Sequence, residues 1–501
     1  MTRSSREEDY LQFREEFPVF TFEKQEYVLT PAGLDIRYTF DLSGKHQFHP
    51  SLFIPRRSVF LPDDEIGDRL DNIVFSLGMI ELISYWKAAC SPTVVIKPFR
   101  LHPEQQAWWK KLYFNGLGEF FYLNSISATE ENFMNLEVAP DIISAPMASL
   151  INLPHVQENK VIVPIGGGKD SAVTLELLSQ NKVCTPLIIN PRGASLQTIY
   201  AKGYSREQLI EIKRTIDPFL LQMNDRGFLN GHTPFSAMLA FVTVLSAIMT
   251  GSRNIALSNE SSASEPTIEG TEINHQYSKS LQFETDFRTY VKKWISPDIN
   301  YFSFLRPLNE LQIAFLFARL PQYHPVFKSC NVGSKTDTWC GHCAKCLFTY
   351  TMLSPFLKED QLVEIFGTNL FNDESLIPIL EQLTGIAEEK PFDCVGTIRE
   401  VNLALCETIR MKGHDSLPAL PGYYMKSDAF NHYVGFDFQA ELSSLSGDHH
   451  VSPEFMGILE GWMWTGGRAD KRTGGRADKR TSGQADRRTG GQADGRTGGR
   501  V

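Results

Sequence analysis

The chain carries a glycine-rich hexapeptide, GGGKDS at 166–171, between a short apolar run and a helical pattern. Glycines let a backbone approach a ligand closely, and a helix N-terminus offers unpaired N–H groups, so this loop suits phosphate. Asp170 would repel a bare phosphate, which favours a bound Mg²⁺. A Walker A loop and a dinucleotide fingerprint both fit the spacing poorly, and an ordinary turn is the alternative. The predicted nucleotide-binding residues here are Gly166, Gly167, Gly168, Lys169, Asp170 and Ser171.

Four cysteines form a second candidate site, with the pattern C-x9-C-G-H-C-x2-C. Four thiolates at such spacing can close a tetrahedral zinc site, and four cysteines leave no open position, so a structural zinc is favoured over a catalytic one. His342 inside the motif is a weaker alternative ligand, and four reduced thiols without metal are the other possibility. The predicted zinc ligands are Cys330, Cys340, Cys343 and Cys346.

Two polar segments, 258–265 and 274–280, follow a third predicted strand. Ligands of parallel α/β sheets collect beyond the carboxyl ends of strands. Both segments are dense in groups that transfer protons or hold anions, although a solvated loop followed by a helix start would have a similar composition. Arg306, further along, suits either an anion or an acidic neighbour.

Alternating strands and helices must position these residues. Apolar runs at 161–165, 183–190 and 254–258 predict strands, and helical spacing appears at 172–178, at 204–221 and from Pro234 onwards. This alternation predicts a parallel α/β sheet.

The flanking regions have different patterns. Strands are predicted at 27–29, 34–40 and 93–97 and a helix at 66–90, while 362–410 should be helical and 411–464 irregular. The predicted regions are an N-terminal α+β region at 1–155 that is a possible substrate-binding part, a catalytic α/β domain at 156–360, a mostly helical region at 361–464, and a disordered octapeptide-repeat tail at 465–501.

Composition limits the function. The net charge is −10, and the last 37 residues hold ten Lys/Arg against four Asp, so the rest of the chain carries −16. A body this acidic is a poor binder of nucleic acid or anionic membrane, so neither is expected as a partner. The charged start lacks a signal sequence, and no apolar stretch is long enough to span a bilayer, which predicts a cytoplasmic protein with reduced cysteines. The oligomeric state stays open.

Several sequence blocks together carry a family resemblance. The GGGKDS loop is similar to the S-G-G-x-D-S loop of the PP-loop ATP pyrophosphatases, with Gly166 in place of the first serine. The wider set of blocks resembles the UDP-N-acetylmuramoyl-L-alanyl-L-glutamate epimerases, the MurL family, over roughly residues 10 to 440. The blocks are IGGGKDS (165–171), GHTPFSAMLAF (231–241), ALSNESSASEPT (256–267), NHQYSKS (274–280), CGHCAKCLF (340–348) and KPFDCVGT (390–397).

The resemblance implies a PP-loop (adenine nucleotide alpha-hydrolase-like) parallel-sheet fold and an ATP- and Mg²⁺-dependent isomerase of peptidoglycan precursor synthesis. The terminal L-Glu of UDP-MurNAc-L-Ala-L-Glu would be adenylated, inverted to D-Glu and released with AMP and diphosphate. The glycine loop, Ser171 and Lys169 would then hold diphosphate and Asp170 would bind Mg²⁺. Asn259 and Glu260 would lie at the nucleotide or substrate. The candidates for acid–base catalysis are His275, Tyr277, Lys279 and Glu260.

Two other functions compete. One is another PP-loop enzyme, similar to 7-cyano-7-deazaguanine synthases or to tRNA modifiers, which the cysteine cluster favours and the acidic body disfavours. The other is a non-catalytic nucleotide-binding module, against which the intact Lys169-Asp170-Ser171 run argues.

Overall fold

The computed structural model describes residues 5–66, 70–139, 148–153, 156–264, 277–391, 393, 395–414 and 416–465. Within these ranges eleven strands join in one mixed sheet. The strands are β1 Val19–Thr30, β2 Gly33–Leu42, β3 His46–Phe48, β4 Ser51–Pro55, β5 Thr93–Ile96, β6 Asn135–Val138, β7 Gln157–Pro164, β8 Val183–Ile189, β9 Ile210–Thr215, β10 Ser252–Leu257 and β11 Asn300–Ser303.

The order across the sheet creates a natural ligand site. It runs β11-β10-β7-β8-β9-β4-β2-β1-β5-β6, with β3 paired to β2. The strands from β11 to β9 are parallel, as the alternating pattern predicts. The chain builds β7, β8 and β9 in one direction and then places β10 on the other side of β7. Ligands of open α/β sheets bind at such a switch point, beyond the carboxyl ends of the strands.

Strand β9 joins the two halves of the sheet, and the helix predicted over 204–221 is wrong. This strand is parallel to β8 on one side and antiparallel to β4 on the other. Its charged side chains pair with residues far away in sequence, Glu211 with Arg57 at 2.8 Å and Arg214 with Glu81 at 2.8 Å. Because these partners come from the N-terminal region, a local pattern does not reveal that the charges are buried.

Helices cover both faces of the sheet. The helices are α1 Glu7–Glu16, α2 Asp63–Ile66, α3 Asp71–Trp86, α4 Pro103–Gly116, α5 Gly118–Leu123, α6 Lys169–Leu178, α7 Gly193–Ala201, α8 Pro218–Asp225, α9 Phe235–Thr250, α10 Leu281–Tyr290, α11 Glu310–Ala318, α12 Ala344–Leu353, α13 Glu359–Phe366, α14 Ile377–Thr384, α15 Ile398–Lys412, α16 Ala419–Tyr424, α17 Asp428–Tyr433, α18 Phe438–Ser443 and α19 Pro453–Thr465. One apolar core includes α3, α9 and α10, and the other includes α6, α11, α12 and the C-terminal helices. Across the described ranges, no helix is long and apolar enough to cross a membrane.

The flanking regions agree with the sequence in part. The predicted strands fall in β1, β2 and β5, and the helix predicted over 66–90 is α3. The irregular structure predicted for 411–464 is wrong, because α16 to α19 lie there. Three of these helices are only six residues long, too short to show a helical period. The sheet and one apolar core both contain residues from either side of position 155. The boundaries of the four regions stay predictions. Residues 466–501 of the repeat tail lie outside the described ranges.

Candidate active site

A cleft of about 520 Å³ opens at the carboxyl ends of β7, β8 and β10. Its volume falls within the range of about 300–1,000 Å³ that is typical of small-molecule sites. Apolar side chains of the strand ends, such as Ile165, Ile189 and Leu257, line part of it. The remaining wall is polar and comes from the glycine loop, the segment after β10 and the cysteine motif.

The glycine loop follows from the burial of β7 and the start of α6. Val161, Ile162 and Val163 are fully buried, which anchors the end of the strand. The chain then turns through Gly167, whose φ is +89°, and Gly168 caps the helix that begins at Lys169. A Cβ atom on Gly167 would lie 2.8 Å from the amide nitrogen of Ser195, so a side chain does not fit here. The first N–H groups of α6 have no partner within the helix, which suits them to an anion.

The two charged residues of the loop take different positions. Lys169 is buried, and its Nζ lies 2.5 Å from carboxylate oxygens of Asp170 and Glu310. Burial alone would lower the pKa of Lys169, but these two carboxylates outweigh it and raise the pKa. Asp170 keeps 33% of its side chain exposed and lines the cleft with Ser171, whereas Lys169 does not line it. The buried ammonium therefore holds Asp170 in place below the loop.

The polar segment after β10 is fixed by a buried arginine. Arg306 is 2% exposed and donates to the backbone carbonyls of Glu260, at 2.5 Å, and of Lys279. Its guanidinium also lies 3.6 Å from the carboxylate of Glu284. Asn259 donates to the Ser303 hydroxyl at 3.0 Å. Arg306 thus pairs with an acidic neighbour, and it binds the backbone of both polar segments at residues 260 and 279.

The four acid–base candidates divide into three groups. Glu260 and Lys279 line the cleft, together with Asn259. Tyr277 is buried, packs edge-on against Phe283 and does not line the cleft, and burial raises the pKa of its hydroxyl. His275 lies outside the described residues.

Three basic side chains that the sequence did not single out also line the cleft: Arg192, Lys328 and Lys345. Arg192 precedes α7, Lys328 precedes Cys330 by two residues, and Lys345 lies between Cys343 and Cys346. Burial lowers the pKa of Lys328, and the nearby Asp337 opposes this shift. Lone basic residues are common on surfaces, so residue type alone does not separate these three from solvated ones. The proximity of Lys345 to the cysteine motif was the available clue.

The four cysteines come together as the spacing predicts. Their Sγ atoms lie within 4.8 Å of one another, with separations of 3.5, 3.7 and 3.8 Å between three of the pairs. A tetrahedral site with Zn–S bonds of about 2.3 Å has sulfur atoms about 3.8 Å apart, so the thiols fit zinc. The backbone N–H of Gly333 donates to Cys330 at 3.1 Å, which would stabilise a thiolate. The His342 ring contacts the carbonyl of Cys340 at 2.7 Å and lies outside this cluster.

The arrangement suits an anionic ligand with a proton-transfer centre beside it. The glycine loop and the helix N-terminus offer N–H donors, and Arg192, Lys279, Lys328 and Lys345 offer positive charge. The carboxylates of Asp170 and Glu260 face the same space, and a divalent cation bound to Asp170 would offset their repulsion of a phosphate.

Comparison with known proteins gives consistent results along the chain. The MurL N-terminal domain family matches residues 12–304, and the MurL C-terminal domain family matches residues 326–422. A UDP-N-acetyl-alpha-D-muramoyl-L-alanyl-L-glutamate epimerase of Xanthomonas oryzae pv. oryzae is 33% identical over 386 residues, covering 75% of this chain and 83% of the relative. Epimerases with the same name from Salinispora tropica and a Micromonospora species are 32% and 33% identical, covering 74% and 69% of this chain and 82% and 76% of their own lengths. No solved structure matches the chain.

Proposed function

Since the chain belongs to the MurL family, we propose that it is an ATP-dependent epimerase that inverts the terminal L-Glu of UDP-MurNAc-L-Ala-L-Glu. The relatives that share three quarters of its length are named as epimerases of this substrate. The observation that supports the ATP-dependent part is the cleft, which is lined by the glycine loop and by residues 258–260 and 278–279.

The need for ATP follows from the acidity of the α-carbon. Removing its proton beside a free carboxylate would place two negative charges on adjacent atoms. In the proposed reaction a carboxylate oxygen attacks the α-phosphorus of ATP, diphosphate leaves, and the acyl-adenylate is no longer anionic at that carboxyl group. A base then takes the α-proton, an acid returns a proton to the opposite face, and water cleaves the acyl-adenylate to release AMP.

The cleft residues divide these tasks in the proposal. The loop from Gly166 to Gly168, together with Ser171, holds the departing diphosphate through backbone N–H groups and a hydroxyl. Lys169 acts indirectly, because its ammonium pairs with Asp170 and Glu310. Glu260 and Lys279 serve as the base that takes the α-proton and the acid that returns one, since both line the same cleft. His275 remains a candidate from the sequence.

Two metals complete the proposal. Asp170 would bind Mg²⁺, which would neutralise charge on the phosphates and the leaving diphosphate. The four cysteines would hold a structural zinc, in keeping with sulfur separations close to a tetrahedral edge. The assigned fold is that of the PP-loop pyrophosphatases, supported by a glycine loop that follows a central parallel strand.

Diphosphate–ATP exchange tests the adenylation step separately from inversion. Full-length protein with Mg²⁺, ATP, labelled diphosphate and UDP-MurNAc-L-Ala-L-Glu should incorporate label into ATP, and omission of the sugar nucleotide should abolish this. Asp170→Asn should reduce the exchange by about 100-fold or more. The matched control is Asp64→Asn, because Asp64 is exposed in α2 and does not line the cleft. Full exchange in the Asp170 variant would contradict the assignment of the nucleotide site.

A further inference from the structure

The cysteine segment, defined as residues 328–346, forms one wall of the cleft. The backbone N–H of Lys328 donates to the carbonyl of Gly167 at 2.8 Å. Asp337, between the first two cysteines, accepts 3.0 Å hydrogen bonds from the backbone N–H groups of Gly193 and Ala194. The segment is therefore bonded both to the glycine loop and to the loop that begins α7.

The loop that begins α7 is bonded in turn to the glycine loop. The hydroxyl of Ser195 donates to the carbonyl of Gly166 at 3.4 Å. Gly167 packs so closely on Ala194 and Ser195 that an added Cβ would overlap their backbones. These contacts join the three elements, so the position of the cysteine segment supports that of the glycine loop.

Lysines stand at both ends of this wall. Lys345 lies in the first turn of α12, between Cys343 and Cys346, and Lys328 precedes Cys330 by two residues. Both side chains are half-buried at the cleft, and neither forms an ion pair among the described residues, although Asp337 acts on Lys328 from beyond ion-pair distance. The Nζ of Lys328 donates to the carbonyl of Pro325 at 3.2 Å. A half-buried ammonium outside any close ion pair is stabilised by an anionic ligand that supplies negative charge beside it.

We propose that the cysteine segment is a phosphate-binding wall in which Lys345 and Lys328 contact phosphate oxygens of a ligand in the cleft. The inference rests on the proposed function, which brings two sources of phosphate to this cleft: the triphosphate of ATP and the diphosphate of the UDP-sugar substrate. The chemistry is the same for both, a charge-assisted N–H···O contact. A metal bound by the four cysteines would then contribute to binding, because it would fix the segment that carries both lysines.

Calorimetric titration with two probes tests the wall without relying on catalysis. The metal-loaded full chain is titrated with ATP·Mg²⁺ and, separately, with UDP. Lys345→Gln should weaken the binding of at least one probe by about tenfold or more. Lys345→Arg keeps the positive charge and should retain most of the wild-type affinity. Lys335→Gln is the matched control, because Lys335 is an exposed lysine of the same segment that does not line the cleft. Metal content and melting temperature are measured for each variant.

Each outcome decides the proposal. A loss confined to ATP supports contact with the triphosphate, and a loss confined to UDP supports contact with the substrate diphosphate. The proposal is overturned if Lys345→Gln and Lys328→Gln both retain metal and bind both probes as the wild type does. It is also overturned if Lys335→Gln loses as much affinity as Lys345→Gln. If Lys345→Gln does not fold, Lys328→Gln and the arginine variant decide. Wild-type protein that binds both probes through these lysines but forms no AMP would refute the proposed function and leave the wall intact.

Discussion

Gly166 and Gly167 are neighbours in one loop, yet the structure predicts that alanine destabilises the protein at Gly167 and is tolerated at Gly166. Gly167 has a φ of +89°, and an added Cβ would lie 2.8 Å from the Ser195 nitrogen and 3.0 Å from the Ala194 carbonyl carbon. Both contacts are with backbone atoms, which side-chain rotation cannot relieve. Gly166 has no atom within 4 Å of an added Cβ, and its φ lies outside the left-handed region.

The magnitudes follow from these two environments. An L-residue in left-handed backbone costs about 1–2 kcal/mol, and forced displacement of packed backbone costs about 1–3 kcal/mol more. We therefore expect Gly167→Ala to lower the free energy of unfolding by about 2–5 kcal/mol. Gly166→Ala should stay within about 1 kcal/mol of the parent, because the position accepts a side chain and alanine reduces the entropy of the unfolded chain.

Thermal unfolding of the two variants beside the parent measures this contrast. For a cooperative unit of a few hundred residues, the loss in Gly167→Ala lowers Tm by roughly 2–10 °C. The same samples should show weakened ATP binding in Gly167→Ala, because the loop shifts away from Ser195. Equal Tm values for the two variants, or a larger loss in Gly166→Ala, would refute the loop geometry.

Three further predictions concern the rest of the site. Cys343→Ser should reduce the zinc content from about one atom per chain towards none in elemental analysis. Cys406→Ala is the control and should retain the zinc. Full zinc content in Cys343→Ser would contradict the four-thiolate site. Arg306→Met leaves Glu284 buried without its cation and should lower the free energy of unfolding by about 3–5 kcal/mol in denaturant titration. Arg253→Met breaks the exposed pair with Glu158 and should lower it by less than about 1 kcal/mol. Similar losses in the two variants would show that Arg306 does not stabilise the site as a buried ion pair. In a chirality assay, Lys279→Met should slow epimerisation by about 100-fold or more and Tyr277→Phe by less than about threefold. The reason is that Lys279 lines the cleft and Tyr277 does not. The reverse order would assign acid–base catalysis to Tyr277 and not to Lys279.

The sequence was most informative where a pattern was local. β7, β8 and β10 are short apolar runs between turns, and their burial on both faces by helices produces that signature. The cysteine motif was equally readable, because thiol spacing around one turn sets the geometry of the cluster. These elements place the glycine loop and the cysteine motif, and both were found from residues alone.

The remaining features depend on contacts between distant parts of the chain. β9 carries charges that pair with Arg57 and Glu81, so its burial is invisible in a local window. Lys169 was expected at the phosphate, but Glu310, 141 residues away, pairs with it below the loop. Tyr277 and Lys279 are two residues apart and differ in their access to the cleft, a difference that tertiary packing decides.

ATP-dependent inversion is tested in one incubation of protein, ATP, Mg²⁺ and UDP-MurNAc-L-Ala-L-Glu in D₂O, with AMP, glutamate chirality and α-carbon deuterium measured on the same sample. We expect D-glutamate that carries deuterium, formed together with AMP and absent when ATP is omitted. Inversion that proceeds equally well without ATP, or AMP formed with no inversion and no deuterium at the α-carbon, would contradict it.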